Sequence, residues 1–384
     1  MTLIYADNNA TTRVDPRVLE SMLPFLGERY GNPSSIHGFG GGISRVVELA
    51  RERVAACLGA GQASEIVFTS CGTESNNTAI RSALATRKGR RRVITTRVEH
   101  PAVLTVARQL EREGYEVTCL PVDDRGRLDL RDLEAVLDEG VALVSIMTAN
   151  NETGVLFPAE EAGRLAHRVD ALFHTDAVQA VGKVPVDLAA GHVDLLSISG
   201  HKIHAPKGVG ALYVRRGVRY RPFLLGGHQE RGRRGGTENV PGIAALGRAA
   251  ELALEHMDEE RTRVAALRDR LEAGLLRIPE SRVNGDPGAR LPGTTNISFR
   301  HVEGEAVLLM LDQRGICASS GSACTSGTLE PSHVLRAMGV PFDFAHGSIR
   351  FSLGRCNTDE DVDAILEAMP PIIERLREIS PFAG

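Results

Sequence analysis

Cysteine is scarce in this chain of 384 residues: there are six, at positions 57, 71, 119, 317, 324 and 356, and no two form a C-x-x-C pair. So few, so scattered, exclude a disulfide framework and make reduced thiols the default. Long apolar runs are missing too, and stretches such as VALVSIM are far too short to span a bilayer. Nor is there an excess of positive charge. Forty-five Lys and Arg face 49 Asp and Glu, giving a net charge of −4, which offers no footprint for nucleic acid or an anionic membrane. A small acidic or zwitterionic substrate suits that balance. The opening MTLIYADNNATTRVDP has no basic region followed by an apolar core, as a secretory signal would, so a cytoplasmic protein is expected. No internal repeat or low-complexity tail stands out, and His201, His204 and His228 do not have zinc-ligand spacing.

What the chain does contain is alternation. EIVFTS, RRVITT, YEVTCLPV, VALVSIM and ALFHTDA are short apolar runs, each separated from the next by an amphipathic helical pattern. That order predicts an α/β fold with a mostly parallel sheet covered on both faces and right-handed crossovers. The length predicts one large domain and a smaller one. A helical pattern is expected from Ile43 to Gly59, preceded by the glycine-rich loop GNPSSIHGFGGG. A long one from Val240 to Arg277 is expected to bridge the two domains.

In open sheets of this kind ligands sit beyond the carboxyl ends of the strands. Five apolar runs are followed there by polar residues: Ser70 to Thr73, Glu99-His100, Asn150 to Glu152, Asp176, and Ser199 to Lys202. The last two groups frame the stretch HTDAVQAVGKVPVDLAAGHVDLLSISGHKIHAPK. A lysine able to condense with an aldehyde, following an aspartate able to hold a pyridinium proton, is what pyridoxal 5'-phosphate requires of a protein. Taken singly, the aspartate could as well be a helix cap and the lysine a solvated charge.

The other candidates carry the same two-sided reading. Gly72 and Thr73, between strand and helix, could cradle a phosphate, with Ser199, His201 and the HQERGRRGGTEN stretch as further donors, the last from its own or a second subunit. His100 could stack on an aromatic cofactor or cap a helix. Asn151 and Gln179 could reach a ring oxygen or satisfy backbone groups. Arg350, on a probable strand, suits a substrate carboxylate or a surface ion pair. Cys317 in RGICA is expected to be buried. Cys324, in ASSGSACTSGTLEP, is expected on a slack tether with a reach of roughly 12–15 Å.

Together YADNNATT, GNPSSIH, FTSCGTES, EHPAVL, ANNETG, HTDAVQAVGKVPVD, SGHKIHAPKGVG, HQERGRRGGTEN, SSGSACTSG, EPSHVLRAM and IRFSLGR resemble the NifS-type cysteine desulfurases. The resemblance implies a pyridoxal-phosphate aminotransferase-like fold, with a seven-stranded sheet sandwiched by helices and a smaller α+β C-terminal domain. Residues 15–255 would form the large domain. Residues 1–14 and 256–384 would form the small one, carrying the cysteine loop at about 318–330.

Lys202 would bind the coenzyme covalently, Asp176 would hold its ring nitrogen protonated, and His100 would stack on the ring and assist proton transfer as a catalytic residue. Gln179 and Asn151 would lie near the ring oxygen. Gly72, Thr73, Ser199 and His201 would hold the phosphate, with Thr237 contributed across a homodimer interface. Arg350 and Asn32 would bind the carboxylate of L-cysteine. Cys324 would take the sulfur as a persulfide and leave L-alanine. That sulfur would pass to an iron–sulfur scaffold protein, with a cluster held only transiently at Cys324 and no permanent metal. Cys71 leans the resemblance toward nitrogen fixation. A housekeeping desulfurase, a selenocysteine lyase, an aminotransferase and a non-catalytic scaffold of the same fold are the alternatives.

Overall fold

Five of the strands, Ile66–Thr69, Val141–Ser145, Leu172–Asp176, Leu195–Ser199 and Gly210–Val214, are buried at every residue. Strands without a wet face are what a sheet covered by helices on both sides demands. A computed structural model describes residues 3–320 and 330–380. Its strands are β1 (Ile4–Tyr5), β2 (Ile66–Thr69), β3 (Arg92–Thr96), β4 (Glu116–Leu120), β5 (Val141–Ser145), β6 (Leu172–Asp176), β7 (Leu195–Ser199), β8 (Gly210–Val214), β9 (Ser281–Val283), β10 (Thr294–Phe299), β11 (Ile316–Cys317), β12 (Ser319–Ser320) and β13 (Ser348–Ser352). The principal helices before the end of the large sheet are α1 (Pro16–Met22), α2 (Gly38–Cys57), α3 (Gly72–Thr86), α4 (Pro101–Arg112), α5 (Leu130–Val136) and α6 (Ala159–Arg168). Those after it are α7 (Val240–Glu255), α8 (Met257–Glu259), α9 (Ala265–Leu275), α10 (Gly304–Asp312), α11 (His333–Ala337), α12 (Phe342–Ala345) and α13 (Asp359–Ile379).

The large sheet has seven strands in the order β2-β8-β7-β6-β5-β3-β4. Its pairs are parallel from β7 through β6, β5 and β3 to β4, and β8 alone runs against its neighbours. The mostly parallel α/β sheet predicted from the alternation is therefore the one found. Alternate residues of each strand feed different cores. Val93 and Leu143 join Ile80 and Ala83 of α3 and Val103 and Val106 of α4, whereas Ile94, Val144 and Phe173 join the larger cluster that includes α2, α6 and α7. A further sheet, β12-β13-β10-β9, packs with α9 and α13 around Phe299, Phe351, Leu271 and Met369. The N-terminal arm joins this second core through Ile4 and Ala6, with β1 lying parallel to β11. Residues Val334 to Ala345, by contrast, pack with the larger core.

Two local expectations need correction. Helix α2 begins at Gly38, five residues before Ile43, because His37 accepts from the Gly40 N–H and caps it. A Cβ on Gly40 would lie 2.3 Å from the Asn32 carbonyl oxygen, so glycine there permits close packing rather than a loop. The long pattern from Val240 is not one helix either. It ends at Glu255, resumes through a π-helical turn at Glu260–Val264, and only then becomes α9.

Candidate active site

The carboxyl ends of β2, β3, β5, β6 and β7 open on one cavity of about 590 Å³. Ten of the residues singled out from the sequence line it: Gly72, Thr73, His100, Asn151, Asp176, Gln179, Ser199, His201, Lys202 and Arg350. Asn32 and Thr237 do not. Asn32 lies in the turn ahead of α2, its side chain accepting from Ser34, and Thr237 lines a separate cleft with Ser70 and Glu238. Cys324 lies outside the described residues. The strand carrying Ser319 and Ser320 nevertheless ends in the cavity wall. Cys317, expected to be buried, is only partly so, since its two-residue strand lies at the sheet edge beside Tyr5.

Lys202 follows β7 in a single 3-10 turn, and its amine donates to the carbonyl oxygens of Asn9 at 2.6 Å and Ala10 at 2.7 Å. Burial and the nearby Arg350 cation push this amine down to about 8, against the pull of Asp7 and Asp176. A sizeable fraction is then uncharged near neutral pH. Asp176, the last residue of β6, is buried and held twice: Asn76 donates at 2.6 Å and the Val178 N–H at 3.0 Å. Two fixed donors keep such a carboxylate aimed.

Helix α3 starts at Gly72, and Cys71, its cap residue, makes no side-chain cap bond, so no cap side chain takes up the N–H groups of a first turn whose Gly72 and Thr73 line the cavity. A Cβ on Gly72 would come within 2.8 Å of Val178; only glycine leaves this cradle open. Ser199 and His201 stand beside it. Burial, with Lys202 and Lys207, drops His201 to about 4, leaving a neutral ring whose Nδ1 lies 3.1 Å from the Thr11 hydroxyl. His100 caps α4, accepting from Ala102 at 3.1 Å, so the capping reading holds, and it also lines the cavity. Its enclosure on the protein side, with Lys202 and His333, sets it below the ordinary histidine value.

Arg350 donates to Asp7 at 2.6 Å and to the Asn151 carbonyl at 3.0 Å, while its buried Nε has no partner. Beneath it lies Glu152, which accepts from Ser332 and is pushed up to about 7 by burial. Asn9 and Asn76 are polar wall residues that sequence reasoning missed, while Glu152 was marked only as one of the polar residues after an apolar run. Asn9 stands inside the YADNNATT motif, and Asn76 falls just past FTSCGTES, one helical turn after Gly72.

These donors suit a pyridine-containing phosphate ester: a nucleophilic amine, a buried anion, a helix N-terminus free of its cap, and a guanidinium for a carboxylate. Comparison with known proteins agrees. The class-V aminotransferase family matches residues 4–365. A cysteine desulfurase of Trichormus azollae is 62% identical, covering all of this chain and 96% of that one. Cysteine desulfurase NifS of Azotobacter vinelandii is 58% identical over all of this chain and 95% of its own. A solved NifS-like protein superposes with a TM-score of 0.91 at 43% identity, over 98% of this chain and all of the other.

Proposed function

Because the chain belongs to the class-V aminotransferase family and is a cysteine desulfurase, taking sulfur from L-cysteine for an acceptor, we propose that its cavity holds pyridoxal 5'-phosphate on Lys202. The observation that carries this is the meeting, in one cavity, of the Lys202 amine, the doubly held Asp176 carboxylate and the open start of α3. When bound, the coenzyme supplies an electron sink for the substrate's α-carbon.

The protein's own groups do the rest. Gly72, Thr73, Ser199 and His201 hold the phosphate, and Asp176 keeps a proton on the ring nitrogen. His100 would lie against the ring, with Asn151 and Gln179 near its oxygen. Arg350 takes the substrate carboxylate, which competes with Asp7 for the guanidinium. Once displaced by substrate, the Lys202 amine removes the α-proton and later returns protons toward the product. Cys324 thiolate attacks the substrate sulfur, so that the Cβ–S bond breaks, a persulfide forms and L-alanine leaves. Ser320 is in the cavity wall, and four further residues span at most about 14 Å, enough for Cys324 to reach the substrate.

A homodimer is proposed on the exposed Tyr30, Ile36, Phe39 and Leu225, an apolar surface of the sort that marks an interface. Such a pairing would bring Thr237 to the partner's phosphate and Asn32 to a substrate carboxylate. The physiological setting proposed is cytoplasmic, with an iron–sulfur scaffold protein as acceptor, serving nitrogenase maturation. Among the described residues no helix is long and apolar enough to cross a membrane.

The test is direct. The purified protein should show a visible absorption band that borohydride fixes to Lys202, and it should convert cysteine to alanine. Lys202→Ala should lose both. Turnover by Lys202→Ala at the unmodified rate would refute the assignment.

A further inference from the structure

Lys183 has no part in the chemistry above, yet it sits directly behind it. Lys183 and Gln179 lie one helical turn apart in the segment after β6, and the lysine amine donates to the Gln179 side-chain oxygen at 2.8 Å. The same amine donates to the Asn9 side-chain oxygen at 2.9 Å. Both amides therefore turn their NH2 groups away from it. That of Gln179 donates to the Asn9 carbonyl at 2.9 Å, the oxygen that also accepts from Lys202. That of Asn9 donates to Thr294 at 2.9 Å and to the Asn151 carbonyl at 3.2 Å.

A side-chain amide has two ends of nearly equal size, one accepting and one donating, and its orientation is set by its partners. An ammonium group can only donate. The atom of Gln179 facing Lys183 must therefore be oxygen, and the backbone carbonyl of Asn9 independently requires nitrogen on the other side. Burial pushes the Lys183 amine down to about 7 against the pull of Glu260, which comes from the π-helical turn and shares a small cavity with it; charged or neutral, the amine has N–H groups enough to donate to both oxygens.

We propose that Lys183 is a positioning residue: it fixes the Gln179 amide with its NH2 toward the active-site cavity, so that glutamine donates to, rather than repels, an anionic ring oxygen. The inference rests on the coenzyme reading above, with Gln179 near that oxygen. Lys183 also braces Asn9, whose carbonyl holds the Lys202 amine, so one buried amine steadies both the ring contact and the nucleophile.

The test is the visible absorption spectrum of the holoenzyme at one fixed pH, since a donor at the ring oxygen changes the chromophore and a merely structural residue would not. Lys183→Met should displace the band in the same direction as Gln179→Ala and by a comparable amount. The double variant should move it no further than Gln179→Ala alone, and Lys183→Arg should restore the original position. An unmoved band in Lys183→Met, or displacements that add fully, would overturn the proposal. Melting temperatures check folding. Should Lys183→Met not fold, Lys183→Gln, which offers an acceptor as well as a donor, is expected to shift the band in the same direction, and no shift would overturn the proposal. Absence of any visible band in the unmodified protein would instead refute the coenzyme reading, and this inference with it.

Discussion

Glu99 sits fully buried beside His100, one oxygen accepting from Thr96 at 2.9 Å and the Met147 N–H at 3.0 Å, the other without a partner. Burial pushes its carboxyl up to about 8 from an ordinary 4.5. Between those values the folded chain binds the proton and the unfolded chain does not, so stability falls as pH rises through the window. The loss should amount to a few kcal/mol. Glu99→Gln, which mimics the protonated acid, should flatten the decline. Melting temperatures from pH 5 to 8.5 check it, and parallel curves for the two proteins would sink the idea. Residues of this kind were poorly legible in the sequence. Asp176 and Lys202 were readable because each ends an apolar run and both types suit one coenzyme. Asn76 was not, because its role depends on a contact with a residue 100 positions away. The Lys202 bond to Asn9 spans 193 positions, and nothing local in YADNNATT announces it.

At the level of elements, the start of α3 and the α2–α7 contact carry opposite demands on glycine. Gly72→Ala would press a methyl group against Val178 inside the phosphate cradle, so coenzyme retention on dialysis should weaken about tenfold or more, in line with losing one or two charge-assisted bonds. Retention equal to the unmodified protein would mean that the cradle lies elsewhere. Gly247 lies where α7 crosses α2, and a Cβ there would be 2.5 Å from the Ala50 Cα. Gly247→Ala should cost about 1–3 kcal/mol through overpacking. Urea unfolding midpoints measure this, and an unchanged midpoint would show that the helices can part freely. Element order and type followed from hydrophobic period. The boundaries at Gly38 and His256 did not, because a histidine cap and a π-turn are set by tertiary packing rather than by local pattern.

For the molecule as a whole, the exposed apolar residues of the α1–α2 region and Leu225 predict a dimer. Light scattering should give twice the chain mass at micromolar concentration. The double variant Ile36→Asp, Leu225→Asp should give single chains that hold the coenzyme less tightly, because Thr237 would no longer reach a partner. A monomeric unmodified protein with full activity would contradict that arrangement. The proposed sulfur route is what the rest serves: the Lys202 amine and the Arg350 guanidinium would hold cysteine in the cavity, and the Cys324 thiol would collect its sulfur. Its most direct measurement is mass mapping of Cys324 after brief exposure to L-cysteine, with alanine counted in the same sample. The account predicts one extra sulfur on Cys324 for each first-turnover alanine, and neither persulfide nor sulfide from Cys324→Ala; sulfide release by that variant at the unmodified rate would contradict it.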